Sequence, residues 1–249
     1  MQVEKVPVEL HRAGGRVENI LDTVAVDTAF CIFINHHPYR TLVASPTHLE
    51  ELALGHLLSE GVINKMEDVT HLEATPTRCD ISLRNPVDPQ EARWNKERLI
   101  TTACSSTPTR GLLEKHRLPP TPPLPEQMVF QIAKTLNTKA YTFKATGGTH
   151  SALLISQDTG EAVFAEDVGR HNAVDKVLGM ALKKGISLKA SAIGTSGRLS
   201  GEVVLKAAVA GVPHLVSLSA PLYSALKAAQ ATGISLVGFV RGSRFNKYT

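Results

Sequence analysis

Hydrophobic and polar positions in the first half of the chain change period several times. Residues 24–44 hold two apolar runs separated by Asn-His-His-Pro at 35–38, and this pattern predicts a β-hairpin. Leucines at helical spacing follow, which predicts a helix with Thr47 as its N-cap and Gly61 at its end. The remaining expected elements are a ragged lead-in strand over 1–19 and short strands at 69–72 and 79–83.

In the second half, predicted strands and helices alternate. Residues 117–125 carry five prolines, which excludes a helix interior or a central strand, so we predict a linker between domains 1–116 and 126–249. Beyond it, apolar runs and amphipathic segments are joined by short glycine-bearing turns, which predicts an α/β architecture with a largely parallel sheet. The predicted strands are 151–157, 162–166, 190–196, 214–219 and 235–240, and the predicted helices are 126–136, 172–184, 200–210 and 223–232.

Composition changes this picture little but excludes several classes of protein. Hydrophobic residues make up 43% and charged residues 20%, so the chain has enough apolar material for a core. No apolar run approaches the roughly 20 residues that a membrane helix needs, and the start has no apolar signal region, so we expect a cytoplasmic protein. The net charge of +4 is scattered, which does not indicate a nucleic-acid partner. Three Cys without zinc spacing predict neither a disulfide framework nor a zinc site.

The first candidate for chemistry is Cys104, in the segment LITTACSSTPTRG. The small hydroxyl residues and Arg110 near it could hold its side chain partly as thiolate, the reactive form of cysteine. A small packed residue is the alternative, and sequence context alone favours neither. Cys31 lies within the apolar run AFCIFI and is predicted to pack in the core, whereas Cys79 is predicted to be inert.

Four segments of the second half combine small residues with cationic side chains beside a predicted strand. Free backbone N–H groups and arginines in such turns suit an anionic ligand. The candidate binding residues are Gly147, Gly148 and His150 in the first segment, Arg170 and His171 in the second, Ser196, Gly197 and Arg198 in the third, and Phe239, Val240, Arg241, Gly242, Ser243 and Arg244 in the last. Plain turns, a solvated helix face at Asp175 and Lys176, and a solubilising basic tail are the alternatives.

The strings TGGTHSA, EDVGRHNAVDKVLG, SGRLSGEVVLKAAVAGVP, SLSAP and LVGF occur in that order. Together they resemble the formate dehydrogenase accessory sulfurtransferase family (FdhD). In the first half, INHHPYRTLVASPTHLEELALGHLLSEGVI resembles the segment before that family's reactive Cys loop. The resemblance covers roughly residues 20–248. A long, unusual string such as EDVGRHNAVDK is far more specific than a single glycine motif.

The resemblance implies a cytoplasmic homodimer with a three-layer core similar to cytidine deaminase and a smaller N-terminal α+β domain. It implies that a cysteine persulfide receives sulfur from a cysteine desulfurase. The sulfur then passes to the molybdenum (or tungsten) bis(pterin guanine dinucleotide) cofactor of formate dehydrogenase. The family's guanine-dinucleotide contact maps onto residues 239–244. The same residues form the last of the four segments that suit an anionic ligand. The deaminase zinc ligands are missing, so no zinc and no deamination are expected.

One departure from the family pattern affects the mechanism. The family's loop reads C-G-x-C-G, and here Cys104 matches its first Cys while Thr107 replaces the second. In that family the first Cys carries the essential sulfur. Our hypothesis is therefore sulfur transfer through a persulfide on Cys104. A cofactor-binding maturation chaperone without sulfur chemistry is the alternative. A Cys-dependent hydrolase would need His150 or His171 beside the thiol.

Overall fold

A computed structural model describes residues 2–85, 98–101, 105–108 and 110–249, and the side chains of 98–110 are outside this description. The strands are β1 (Val3–Arg12), β2 (Arg16–Ala25), β3 (Thr28–Ile34), β4 (His37–Ala44), β5 (Val69–Ala74), β6 (Arg78–Leu83), β7 (Arg98–Thr101), β8 (Ser105–Pro108), β9 (His150–Ser156), β10 (Ala162–Asp167), β11 (Ser191–Thr195), β12 (His214–Ser217), β13 (Ser235–Arg241) and β14 (Arg244–Lys247). The α-helices are α1 (Leu49–Ser59), α2 (Arg110–Lys115), α3 (Glu126–Lys139), α4 (Tyr141–Thr146), α5 (Arg170–Lys184), α6 (Gly201–Ala210) and α7 (Tyr223–Thr232).

The beginning of the chain is a long hairpin, not the ragged strand that the sequence predicted. Strands β1 and β2 pair in register over ten residues each, from Val3 opposite Ala25 to Arg12 opposite Arg16. Gly14 and Gly15, both at positive φ, make the reversal. The polar composition that suggested a lead-in strand belongs to a ribbon with solvent on both faces.

The hairpin predicted for residues 24–44 is confirmed, with its strands at β3 and β4. Asn35 and His36 form the turn at positive φ, a backbone region that Asn and His adopt more readily than most residues. These strands join β5 and β6 in a four-stranded sheet of order β4-β3-β6-β5, where β3 and β6 are parallel. Helix α1 packs next to this sheet and shares its core.

Helix α1 begins one residue later than predicted. Its N-cap is His48, at φ +53, and the predicted cap Thr47 takes another role. The Thr47 hydroxyl accepts a hydrogen bond from Gln2 Nε2 at 2.5 Å, so it ties the chain start to the helix start. Gly61, at φ +71, follows the helix end as predicted.

The six-stranded sheet of the second half has the order β10-β9-β11-β12-β13-β14. The prediction of a largely parallel sheet is wrong, because only β11, β12 and β13 run parallel. The connection from β9 to β10 and the turn from β13 to β14 are too short for a crossover, so both pairs are antiparallel. The predicted positions of the strands and helices in this half are confirmed within a few residues.

Helices cover both faces of this sheet. Successive β9 residues point to opposite sides: Ala152 and Leu154 into a core with α1, α5, α6 and α7, and Leu153 and Ile155 into a second core with α3. The first core also holds Phe30 and other side chains that precede residue 117. The division at 117–125 stays a prediction. Among the described helices, none combines the length and apolar character that crossing a membrane requires.

Candidate functional site

A cleft of about 480 Å³ opens where the parallel strands of the large sheet end. The carboxyl ends of parallel strands are where open α/β sheets bind ligands. Ser196 follows β11, Ser219 follows β12, and Arg241 ends β13, so three neighbouring strands each contribute a polar residue. Four predicted binding residues line this cleft: Ser196, Val240, Arg241 and Gly242.

The opposite wall of the cleft comes from α3 and α4, and none of its residues is among the binding residues predicted from the sequence. Its residues are Leu136, Asn137, Ala140 and Phe143. Phe143 is half exposed, and Asn137 offers both amide donor and acceptor atoms. The wall has a mixed apolar and hydrogen-bonding character, which suits a flat heterocycle. The sequence prediction missed Asn137 because it ended this helix at residue 136, whereas α3 continues to Lys139 and delivers Asn137 to this position.

Glu166 fixes the position of α4 and therefore of this wall. Its carboxylate is buried and accepts hydrogen bonds from the backbone N–H groups of Thr142 (2.9 Å) and Phe143 (2.8 Å). The Thr149 hydroxyl donates to it as well, at 3.0 Å. A carboxylate at a helix start satisfies free N–H groups and interacts favourably with the helix dipole.

His150, Arg170, Ser196 and Gly197 meet at the edge of the cleft. His150 Nδ1 lies 3.4 Å from Ser196 Oγ, which also accepts from the Ser151 N–H at 2.9 Å. A Cβ on Gly197 would come within 2.9 Å of the Arg170 Cβ, so only glycine allows α5 to approach this turn. Burial, and then the Arg170 and exposed Arg198 cations, lower the pKa of His150. Neutral His150 leaves the two arginines as the positive charges at this edge.

His171 lies beside α6 instead of lining the cleft with its neighbour in sequence. Its Nε2 is 3.4 Å from both Ser200 Oγ and Glu202 Oε2. Burial, with Lys206 and Arg170 nearby, lowers the pKa of His171 to about 3. The ring is therefore neutral at physiological pH and packs between helices.

Phe239 has a strained backbone at the rim of the cleft. Its φ of +53 is rare for an aromatic residue, and it lies within β13 where the pairing with β14 is irregular. The ring remains 37% exposed, with the Arg241 guanidinium 6.0 Å from its centre. Ser243, in the following turn, and Arg244, at the start of β14, are exposed. A strained, exposed aromatic beside a cation is typical of a binding surface.

Gly147 and Gly148 have a clear part in the fold. Gly147 ends α4 at φ +67 with open space around it, while a Cβ on Gly148 would come within 3.0 Å of the Ala25 Cβ. The pair thus carries the chain from α4 into β9 and lets β2 approach. Their predicted contact with a ligand stays a prediction.

Asp175 and Lys176 belong to two buried ion networks, so the alternative of a solvated helix face is wrong. Asp175 accepts from Lys206 Nζ at 2.9 and 3.0 Å and from Ser59 Oγ at 2.8 Å, and it lies 3.1 Å from His56 Nδ1. Lys176 Nζ lies 2.6 Å from Asp167, a fully buried carboxylate. These charges join α5 to α1, α6 and the end of β10.

The cysteines differ from the predictions in one case. Cys79 is fully buried, and burial raises the pKa of its thiol to about 12, which agrees with the prediction of an inert residue. Cys31 is half-buried instead of packed in the core, because Phe30, Ile32 and Ile34 take the inward positions of β3. Cys104 lies outside the described residues.

Sequence comparison shows which known proteins this chain is similar to. The chain is 32% identical over 244 residues to the sulfur carrier protein FdhD of Listeria monocytogenes serotype 4b (strain F2365), with 95% of this chain and 93% of that protein covered. It is 34% identical over 245 residues to the protein of the same name from Shouchella clausii (strain KSM-K16), with coverage of 95% and 91%.

A solved structure extends the likeness to three dimensions. It is the crystal structure of a protein assigned as a formate dehydrogenase accessory protein from Desulfotalea psychrophila. The TM-score is 0.80 at 28% identity, with 100% of this chain and 97% of that chain covered. Residues 25–249 match the model of the FdhD/NarQ family. The chain therefore belongs to the FdhD/NarQ family.

Proposed function

We propose that this protein is a sulfur carrier that supports the maturation of formate dehydrogenase. The cleft at the ends of β11, β12 and β13 is the observation that carries the proposal. Relatives named as sulfur carrier proteins and a solved accessory protein share most of the chain. The coarse function follows from this kinship, and the finer steps below are our own inference.

The client of the cleft, in this proposal, is the guanine dinucleotide part of a molybdenum or tungsten bis-pterin cofactor. A volume of about 480 Å³ suits one nucleotide-sized group. Phe143 and Asn137 would face the base, by stacking and by hydrogen bonds. Arg241, with Arg170 and Arg198 near the same edge, would attract the phosphates. We assign the metal to the client, as cargo, and not to the protein.

Sulfur would travel on Cys104. Its thiolate would attack the outer sulfur of a persulfide on a cysteine desulfurase, forming a Cys104 persulfide and releasing the donor's thiolate. A persulfide is more acidic than a thiol, so it is ionised and nucleophilic at neutral pH. The S–S bond would then break as the outer sulfur passes to the client, and Cys104 would return to its thiolate. The reduced metal of the client or an external dithiol would supply the two electrons that bring the transferred sulfur to the sulfide level. Thr107 replaces the family's second Cys, so the proposal uses one thiol only.

The test is to load purified protein with a desulfurase and cysteine and to measure added sulfur by mass spectrometry. We expect a gain of one sulfur on wild type and none on Cys104→Ala. Cys31→Ala is the matched control, because Cys31 is half-buried and is expected to be uninvolved. Persulfide that persists in Cys104→Ala but not in Cys31→Ala would overturn the assignment.

A maturation chaperone without sulfur transfer is the second candidate, and Thr107 is the observation that favours it. Maturation of formate dehydrogenase in cells that lack their own accessory protein separates the two. If Cys104→Ala supports full maturation and still binds GDP, the chaperone is correct. If it binds GDP without supporting maturation, sulfur transfer is correct.

Three further expectations belong to the same proposal. We infer that the protein acts as a homodimer in the cytoplasm, as the family resemblance implies. We also infer that its large sheet is of the cytidine deaminase type. The helix layers on both faces of the sheet support that relation. A superposition on a cytidine deaminase tests it, and a different strand order in the shared sheet would refute it.

A further inference from the structure

The hairpin of β1 and β2, which we call the arm, lacks the packing that a two-stranded ribbon needs. It spans Val3–Ala25, and each of its ten-residue strands is about 33 Å long at the usual rise per residue. No residue of the arm belongs to either core cluster or packs against one, within the residues that the structure describes. An isolated two-stranded hairpin is marginally stable in water.

Contacts to the rest of the molecule are concentrated at the base of the arm. Gln2 bonds Thr47 and accepts from the Thr142 hydroxyl at 2.7 Å, and Ala25 lies against Gly148. Apolar side chains of the arm meet solvent: Ile20 is 38% exposed and Val24 is 36% exposed. Apolar surface of this kind on an otherwise unsupported ribbon marks an interaction site.

One face of the arm is self-complementary. Residues directly opposite each other in an antiparallel pair share a face, and in this register even-numbered residues oppose even-numbered ones. We call this the even face. Its members, from tip to base, are Arg12 and Arg16, Leu10 and Glu18, Val8 and Ile20, Val6 and Asp22, and Glu4 and Val24. The tip is basic, the middle apolar and the base acidic.

The charges at the two ends are not balanced within the arm. Arg12 and Arg16 share a single carboxylate, that of Glu18, at 3.3 and 2.8 Å. Glu4 and Asp22 are exposed, and no described cation forms an ion pair with either of them. On the even face, the tip therefore keeps a surplus positive charge and the base a surplus negative charge.

We propose that the even face of the arm packs antiparallel on the even face of a second copy of this chain. A two-fold axis through the Val8–Ile20 pair would set Arg12 at the tip of each copy over Glu4 at the base of the other. The apolar middles would then cover each other. A two-fold interface requires one surface to complement itself, and this face does so. The inference rests on the proposed homodimer and assigns its contact surface.

The first experiment measures the dimer dissociation constant by analytical ultracentrifugation, on purified protein with no desulfurase and no cofactor. Its result is thus independent of whether sulfur transfer is correct. We expect wild type to dimerise and Ile20→Asp to weaken the dimer by about tenfold or more, since each interface gains two buried charges. The matched control is Val43→Asp, because Val43 is an exposed apolar strand residue outside the arm, and it should dimerise as wild type does.

Charge reversal then tests the antiparallel arrangement without changing the apolar middle. One variant carries Arg12→Glu, another carries Glu4→Arg, and a third carries both changes. We expect each change alone to weaken the dimer and the two together to restore it. A monomeric wild type, an unchanged constant for Ile20→Asp, or no restoration by the double variant would overturn the proposal.

Discussion

The buried ion pair of Asp175 and Lys206 should contribute more to folding than any exposed pair of the molecule described here. Both side chains are only 2% exposed, and the ammonium lies within 3.0 Å of both carboxylate oxygens. Replacing Lys206 by Met would leave the Asp175 charge buried with only the partners Ser59 and His56. Breaking such a pair costs about 3–5 kcal/mol of unfolding free energy.

The matched control is Lys183, whose ammonium lies 2.8 Å from Glu50 and from Glu51 but whose side chain is 36% exposed. Lys183→Met should cost less than about 1 kcal/mol, because water screens an exposed pair. Urea unfolding at neutral pH measures both variants. Adding Asp175→Asn to Lys206→Met should recover about 1–3 kcal/mol relative to the sum of the single changes. If Lys206→Met costs no more than Lys183→Met, or if the single changes simply add, the reasoning is refuted.

The same pair predicts how acid affects stability. Burial alone would raise the pKa of Asp175, but Lys206 and the hydrogen bond with His56 outweigh it and hold that pKa well below its usual range. A depressed folded-state pKa contributes stability above the unfolded value of about 3.9, and the contribution is lost as pH falls further. The stability difference between wild type and Asp175→Asn should therefore begin to shrink as pH falls below about 4, and it should close only near the depressed folded-state pKa.

Three other predictions test the packing and the site. Gly179→Ala would place a Cβ 1.9 Å from a backbone carbonyl oxygen of α1, so it should lower the free energy of unfolding in urea by about 3 kcal/mol or more. The control is Gly111→Ala, whose Cβ would meet nothing within 4 Å, so the free energy of unfolding should not change. In native protein, a maleimide should label half-buried Cys31 but spare Cys79, because burial raises the pKa of the Cys79 thiol to about 12. Mass spectrometry of the peptides measures the labelling, and label on Cys79 without label on Cys31 would contradict the prediction. Glu166→Ala should release α4 and lower GDP affinity about tenfold in calorimetry, the equivalent of one charged hydrogen bond, and an unchanged affinity would contradict its positioning role.

Strands and helices were predicted best from the sequence where the spacing of apolar residues stays constant along the whole element. Alternating apolar residues located β3 and β4, and the helical spacing of leucines located α1. The same alternation would have placed Cys31 correctly, because it occupies an odd position between the inward Phe30 and Ile32. The error came from reading an apolar run as uniformly buried, whereas a sheet with one exposed face buries every second residue.

Whether two strands pair parallel or antiparallel, and whether a charged side chain is buried, depends on partners that are distant in sequence. Strand β9 pairs with β11 as well as β10, both antiparallel, and no local pattern records that choice. Asp175 looks like part of a solvated helix face because its partners lie far along the chain, Ser59 at a separation of 116 residues. The cleft could be predicted in part, since its glycine and arginine turns are visible in sequence. Its α3–α4 wall depends on how two helices meet.

The string EDVGRHNAVDK divides its residues between folding and function. Glu166 fixes α4, and Asp175 and Lys176 are buried charges that join helices, so these three act on the shape of the molecule. Only Arg170 of the string lies at the edge of the cleft, against Gly197. A motif that identifies a family need not be its reactive part. Loss of activity after substitution within this string therefore indicates a binding role only at Arg170, and elsewhere the first measurement should be stability.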